Sequence, residues 1–332
     1  MIATASPLLR VITLLLAVLA LNSPAAADPL KLSAETVHLD ETDLNRKSVG
    51  KLNWRGGLVL KSGNADFKEL SALVVSGDGL WLTSVTDEGY WVTMGLVYDQ
   101  AGHLSNVKDG KIGRLLGLKG KHLELRSDRD AESLARSPDG SLVVAFELNH
   151  RLWRYTPGIG ATAAKHPEPP EFTNLTRGSN DGVEALVTLA NGALLVFVED
   201  SNDVTESPAY LQHDGGWKEL SYQHDQGFRP TGATRLPDAD GDVLVIERCF
   251  ELCDGKNIIR LRRLEANSIV PGADLEGEVI AELKDPFIVD NFEGVAARRA
   301  ASGETLVYLL SDDNGNKPPV QRTLLLMFAL SE

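Results

Sequence analysis

One pattern is written five times between Leu70 and Asp312: a short apolar segment carrying a marker residue, a tight turn rich in Gly or Asp, an apolar strand, and an acid at that strand's end. The first copy is Leu70-Ser71-Ala72-Leu73 with Gly77-Asp78-Gly79 and Asp87, and the second is Ala131-Glu132-Ser133-Leu134 with Ser137-Pro138-Asp139-Gly140 and Glu147. The third is Val183-Glu184-Ala185-Leu186 with Asn191-Gly192 and Glu199, and the fourth Pro230-Thr231-Gly232-Ala233 with Asp240-Gly241 and Glu247. The fifth is Phe292-Glu293-Gly294-Val295 with Ser302-Gly303 and Asp312. Marker and acid are 15 or 16 residues apart in four copies and 19 apart in the last, too regular for chance. Residues 142–147, 194–198, 243–247 and 306–310 are short, rich in Val, Leu and Phe, and bounded by turn dipeptides, so they read as strands. Further strands are expected after each hairpin, as at 151–155, 258–264 and 278–283. Four strands per unit of about 50 residues is the signature of a propeller blade.

The expected fold is therefore all-β, a single β-propeller of five to six four-stranded blades over residues 28–332. The last copy supplies only three strands, ending with residues 322–330, and residues 57–61 are predicted to add the fourth and close the ring, which removes exposed sheet edges. Residues 162–171, rich in proline, read as a loop within the second blade because the repeat resumes in phase after them. No stretch keeps the three-and-four apolar spacing of a long amphipathic helix.

Residues 1–27 read as a signal peptide. Arg10 precedes an apolar run at 11–21, Asn22, Ser23 and Pro24 end it, and Ala25-Ala26-Ala27 offers small residues for cleavage after Ala27. The run is too short for a membrane span, which needs roughly 20 apolar residues. A periplasmic or secreted monomer is expected. Without the leader, 47 acids face 32 bases, so nucleic acid and anionic lipid are excluded as partners, and an anionic ligand would need a cation to mediate its approach. Cys249 and Cys253, four residues apart in an exported chain, are expected to form a small disulfide loop; free thiols are the alternative, and zinc would need matched Cys or His that the sequence lacks.

The residues flanking a hairpin sit at one open end of its sheet. If the first strand of each unit is innermost, Asp87, Glu132, Glu147, Glu184, Glu199, Glu247, Glu293 and Asp312 gather round one mouth of the central channel. Hard carboxylate oxygens in such number suit Ca²⁺ or Mg²⁺ better than zinc. The competing reading is that each acid bonds neighbouring backbone N–H groups and merely fixes the repeat. Arg129, Arg229 and Arg248 lie beside the markers; they are candidates to offset the acids, and Arg229 and Arg248 to hold an anionic substrate. No Gly-x-Ser-x-Gly elbow, Walker loop, dinucleotide fingerprint or His-Glu-x-x-His occurs, and no catalytic residue is assigned.

The same residues resemble the bacterial phytase-like propeller family, named for an esterase-like activity of phytase. The motifs are Asp130-Ala131-Glu132-Ser133-Leu134 with Pro138-Asp139-Gly140, Phe228-Arg229-Pro230-Thr231 with Leu244-Val245-Ile246-Glu247-Arg248, and Asp290-Asn291-Phe292-Glu293-Gly294. Leu310-Ser311-Asp312-Asp313-Asn314, followed by Gln321-Arg322-Thr323-Leu324-Leu325, is the most specific. The likeness runs from about Gly57 to Leu330. It implies hydrolysis of a small phosphate ester or carboxylic ester assisted by bound Ca²⁺; the alternative is a non-catalytic binding or scaffold propeller in which the acids hold a structural cation. Thr86-Asp87-Glu88-Gly89 departs from the expected Ser-Asp-Arg-Gly, which puts anion binding by the first blade in doubt.

Overall fold

Five small antiparallel sheets make up the computed structural model, which describes residues 27–169, 182–199, 205–238, 240–316 and 321–331. The expected leader, save Ala27, lies outside the described residues, and none of the described helices is long and apolar enough to cross a membrane. The innermost strands are Leu70–Val75, Ala131–Arg136, Val183–Thr188, Phe228–Arg235 and Asn291–Arg299. Each packs on the next, and the fifth packs on the first, so the ring closes as a five-bladed propeller.

Each inner strand pairs with the one after it in sequence, as expected from the Gly- and Asp-rich turns: Trp81–Thr86, Leu142–Phe146, Leu194–Val198, Val243–Cys249 and Thr305–Asp312. Residues 162–171 are not wholly loop, because Ala163–Lys165 forms the outer strand of the second blade. The fifth blade is completed from the N-terminus: Leu52–Ser62 lies antiparallel to Thr323–Leu330 over a longer span than residues 57–61. The chain start adds more. Asp28–Leu30 pairs on the outer edge of the first blade, and Leu32–Thr36 immediately afterwards pairs on the outer edge of the fifth. One short strap thus covers two edges that would otherwise offer unpaired backbone groups.

Five apolar cores hold the ring, one between each pair of neighbouring blades. Leu134, Val144 and Phe146 meet Val85 and Trp91 between the first two blades, and Leu309, Leu326 and Phe328 meet Ile246 and Leu261 between the last two. Burying such a side chain contributes about 1.5–3 kcal/mol. Packing between blades is therefore the main stabilising term, and it fixes how the strand ends converge on the channel.

Candidate functional site

Every inner strand carries an irregularity at the same place. The pairing jumps from Leu70↔Thr86 to Ala72↔Val85, from Ala131↔Phe146 to Ser133↔Ala145, and from Val183↔Val198 to Ala185↔Phe197. It likewise jumps from Pro230↔Glu247 to Gly232↔Ile246 and from Phe292↔Ser311 to Gly294↔Leu310. The residues left without a partner are Ser71, Glu132, Glu184, Thr231 and Glu293, the five sequence markers. A bulge adds one residue to one strand and re-aims its side chain. In this ring it turns five side chains toward one mouth, where the residues that follow the paired position on the second strand also arrive: Asp87, Glu147, Glu199, Arg248 and Asp312.

Close approach of the blades makes the cluster tight. A Cβ on Gly232 would collide with the carbonyl oxygen of Glu293, and one on Gly182 with the Glu147 side chain. Carboxylate oxygens of Asp87, Asp130 and Glu132 lie within 4.8 Å of one another. Burial first, and the neighbouring charges next, push the carboxyl groups of Asp87, Glu132, Glu184 and Glu293 well above their usual range. The repelling neighbours trace the ring: Asp312 and Glu293 act on Asp87, and Asp87, Glu184 and Glu147 act on Glu132. Glu147, Glu199 and Glu293 act in turn on Glu184. Burial lifts Asp312 to about 7. The Glu147 carboxyl adjoins Glu184, and that of Glu132 adjoins Asp130, so two pairs of like groups meet in the ring.

The fourth blade differs from the sequence expectation. Glu247 does not join the other seven acids. It stands in register with Thr86, Phe146, Val198 and Ser311, is 0% exposed, and accepts hydrogen bonds from Tyr222 Oη at 2.7 Å and Arg262 Nε at 2.8 Å. Counting to the nearest acid misses the true position by one residue, and in a strand one residue reverses the face. Arg248 takes that position. Its guanidinium donates to Asn291 Oδ1, and the Asn291 amide donates to Glu293 at 2.8 Å and Asp312 at 3.2 Å. The Arg248 charge also opposes the upward shift of Glu293.

The mouth is thus an acidic arc over the first, second, third and fifth blades with a basic gap at the fourth. A groove of about 360 Å³ opens beside that gap, lined by Arg229, Arg248, Thr231, Gly227, the acids Glu199 and Glu251, and the apolar Phe250 and Leu252. Arg229 and Arg248 make no ion pair among the described residues. Cys249 and Cys253 are joined by a disulfide, which closes the loop carrying Phe250 and Leu252 onto the groove.

Three further placements bear on the site. Glu88 forms ion pairs with Arg129 and with Lys68, so the acid found where a base is expected pairs with bases at the entries to the second and first blades. Asp313, beside Asp312, accepts the Glu69 amide at 3.0 Å and the Gly315 amide at 3.1 Å, which makes it a turn anchor. Asp130 and Asn291 were not singled out as site residues, although each stands two positions before a marker, at the entry to its inner strand.

A family model described as phytase-like, esterase-like activity of phytase, matches residues 65–315. No curated protein matches the chain. Among solved structures, a gluconolactonase from Xanthomonas campestris is 12% identical, with 92% of this chain and 96% of that one covered and a TM-score of 0.44. A PQQ-bound aldose sugar dehydrogenase from Streptomyces coelicolor is 13% identical, with 93% and 100% covered and a TM-score of 0.38. Likenesses at this level carry no information on chemistry.

Proposed function

The chain belongs to the phytase-like family, and from that premise we propose that it is an exported, Ca²⁺-dependent hydrolase of small anionic phosphate or carboxylic esters, with the acidic arc as cation site and Arg229 and Arg248 as anion site. One observation carries this reading: burial and mutual repulsion raise the pKa of acids at the first, second, third and fifth blades, while arginines without ion pairs among the described residues line the fourth. Structural carboxylates are satisfied by backbone donors or by a cation, as Glu247 and Asp313 are. Asp87, Glu293 and Asp312 of the arc accept hydrogen bonds from Ser71, Asn291 and Asn314, but no ion pair offsets their charges among the described residues, which suits a site completed by a hard cation with oxygen ligands.

The donor set fits Ca²⁺, with Asp87, Asp130 and Glu132 the tightest group and Glu184, Glu293 and Asp312 next to it. When bound, the ion would screen an anionic ester from the acids and polarise its P–O or C=O bond. Asn291 holds Arg248 toward the groove. Arg229 donates from Nη1 to the Phe228 carbonyl at 3.0 Å, which leaves its other N–H groups for an oxyanion. Phe250 and Leu252 supply apolar wall for the leaving group.

Turnover of 4-nitrophenyl phosphate and 4-nitrophenyl acetate, followed with added Ca²⁺ and with chelator, tests the proposal. Ca²⁺-dependent release from either substrate, with KM raised by Arg248→Gln, is expected. If Ca²⁺ raises the melting temperature yet neither substrate turns over, the chain is the alternative, a binding or scaffold propeller with a structural cation.

A further inference from the structure

The same five inner strands that begin at the acidic mouth end at a second one with the opposite charge. Arg136, Arg235, Arg298 and Arg299 close their strands there and line one cavity of about 420 Å³, whose walls are apolar, Leu134 and Val295 among them. None of the four arginines has a carboxylate within ion-pair distance among the described residues. Two rim acids are committed elsewhere, Asp139 to Arg154 at 3.2 Å and Asp238 to Arg263 at 3.1 Å; Asp78, held by the Ser76 hydroxyl and the Leu80 amide, feels the Arg298 charge without forming an ion pair. In a chain of net charge −14, four arginines without an ion pair around one opening are unexpected, because 47 acids face 33 bases in the sequence.

Two of the four are held in place by neutral partners. Arg298 donates to Tyr308 Oη at 3.0 Å and stands 5.8 Å from the ring centres of Tyr98 and Tyr308. It also presses on Gly79, where φ is +75° and a side chain would strike the guanidinium. Arg299 is fixed by the carbonyls of Pro237 at 2.7 Å and Gly303 at 2.8 Å. Arg136 and Arg235 make no side-chain hydrogen bond among the described residues. Desolvation alone lowers the pKa of Arg136, with no acid opposing it. Two braced cations and two free ones around an apolar cavity form a receptor whose donors lack an acceptor.

We infer that this second mouth binds a small organic oxyanion, a phosphate or carboxylate on a short apolar stem, with the charged head between Arg136 and Arg235 and the stem in the channel. The cavity has the size of small-ligand sites, about 300–1,000 Å³. The guanidinium fork matches either head group. Because the acidic mouth is at the other end of the strands, this binding needs no metal and stands apart from the proposed hydrolysis.

The test is titration calorimetry with phenyl phosphate, phenylacetate, inorganic phosphate and benzyl alcohol, all in chelator. One of the two phenyl anions binds, inorganic phosphate binds more weakly and benzyl alcohol not at all; which anion is tighter identifies the head group. The Arg136→Gln/Arg235→Gln variant loses about tenfold or more in affinity, a modest share of two charged hydrogen bonds, and each single variant loses part of it. Lys61→Gln, on an outer strand of the fifth blade, binds as the parent does. Absence of binding by both phenyl anions, equal binding by the double variant, or an equal loss in Lys61→Gln would overturn the inference.

Discussion

Glu247 and Arg248 are consecutive in one strand and serve opposite ends of the design: Glu247 is sealed between Tyr222 and Arg262, whereas Arg248 stands at the channel mouth and holds Asn291. Removing one partner of a buried ion pair leaves the other charge uncompensated and costs about 3–5 kcal/mol. Glu247→Ala should therefore unfold at markedly lower denaturant concentration. Its response to Ca²⁺ should match the parent's, because Glu247 is not among the arc acids; a lost Ca²⁺ response in a variant that still folds would place it in the cation site.

Glu184→Gln should do the reverse. Glu184 is pressed by Glu147, Glu199 and Glu293, and an amide of the same size removes that repulsion. The metal-free variant is expected to melt as high as the parent or higher, with a reduced rise on adding Ca²⁺. A ligand at a hundredfold excess over its Kd stabilises by about 2.7 kcal/mol, so the comparison is readily measured by calorimetry. A lower metal-free melting point with an unchanged Ca²⁺ response would make Glu184 a structural anchor.

The raised acids also set a pH dependence. A carboxyl whose pKa is higher folded than unfolded contributes stability that is present below the unfolded value and is lost as pH rises through the folded one. For Asp312 that window runs from its ordinary 3.8 to about 7, and Asp87, Glu132, Glu184 and Glu293 shift in the same direction. Metal-free protein should melt higher at pH 5 than at pH 7.5. Ca²⁺ should raise the melting temperature more at pH 7.5, where the ligands are ionised. Equal Ca²⁺ responses at the two pH values would contradict a carboxylate site.

The N-terminal strap offers a test of ring closure. Leu30 is 5% exposed and packs in the core between the first and fifth blades. Leu30→Ala should cost about 2–5 kcal/mol as a buried Leu deletion. Amide exchange in Leu104–Arg114, the strand it covers, should quicken more than in the second-blade strand Leu142–Phe146. Uniform quickening in both would mean that the strap is not a local clasp.

The blade repeat was legible because turn chemistry and strand composition act locally: Gly77-Asp78-Gly79, Asn191-Gly192 and their counterparts punctuate strands whatever surrounds them. Closure by the N-terminal strand followed from counting strands, since a propeller blade lacking its fourth strand exposes an edge. The five markers coincide with the bulged residues of the inner strands.

Tertiary structure decided what spacing could not. Register on the second strand depends on the hydrogen-bond ladder, so the sequence named Glu247 where the ladder puts Arg248. Asp130 and Asn291 gained their place only when neighbouring blades converged, and the carboxyl shifts of the arc arise first from burial between blades and then from charges that lie far apart in the chain. The basic mouth was invisible for the same reason: Arg136, Arg235, Arg298 and Arg299 carry no local pattern. They meet only because five strands of similar length end at one opening when the ring is closed.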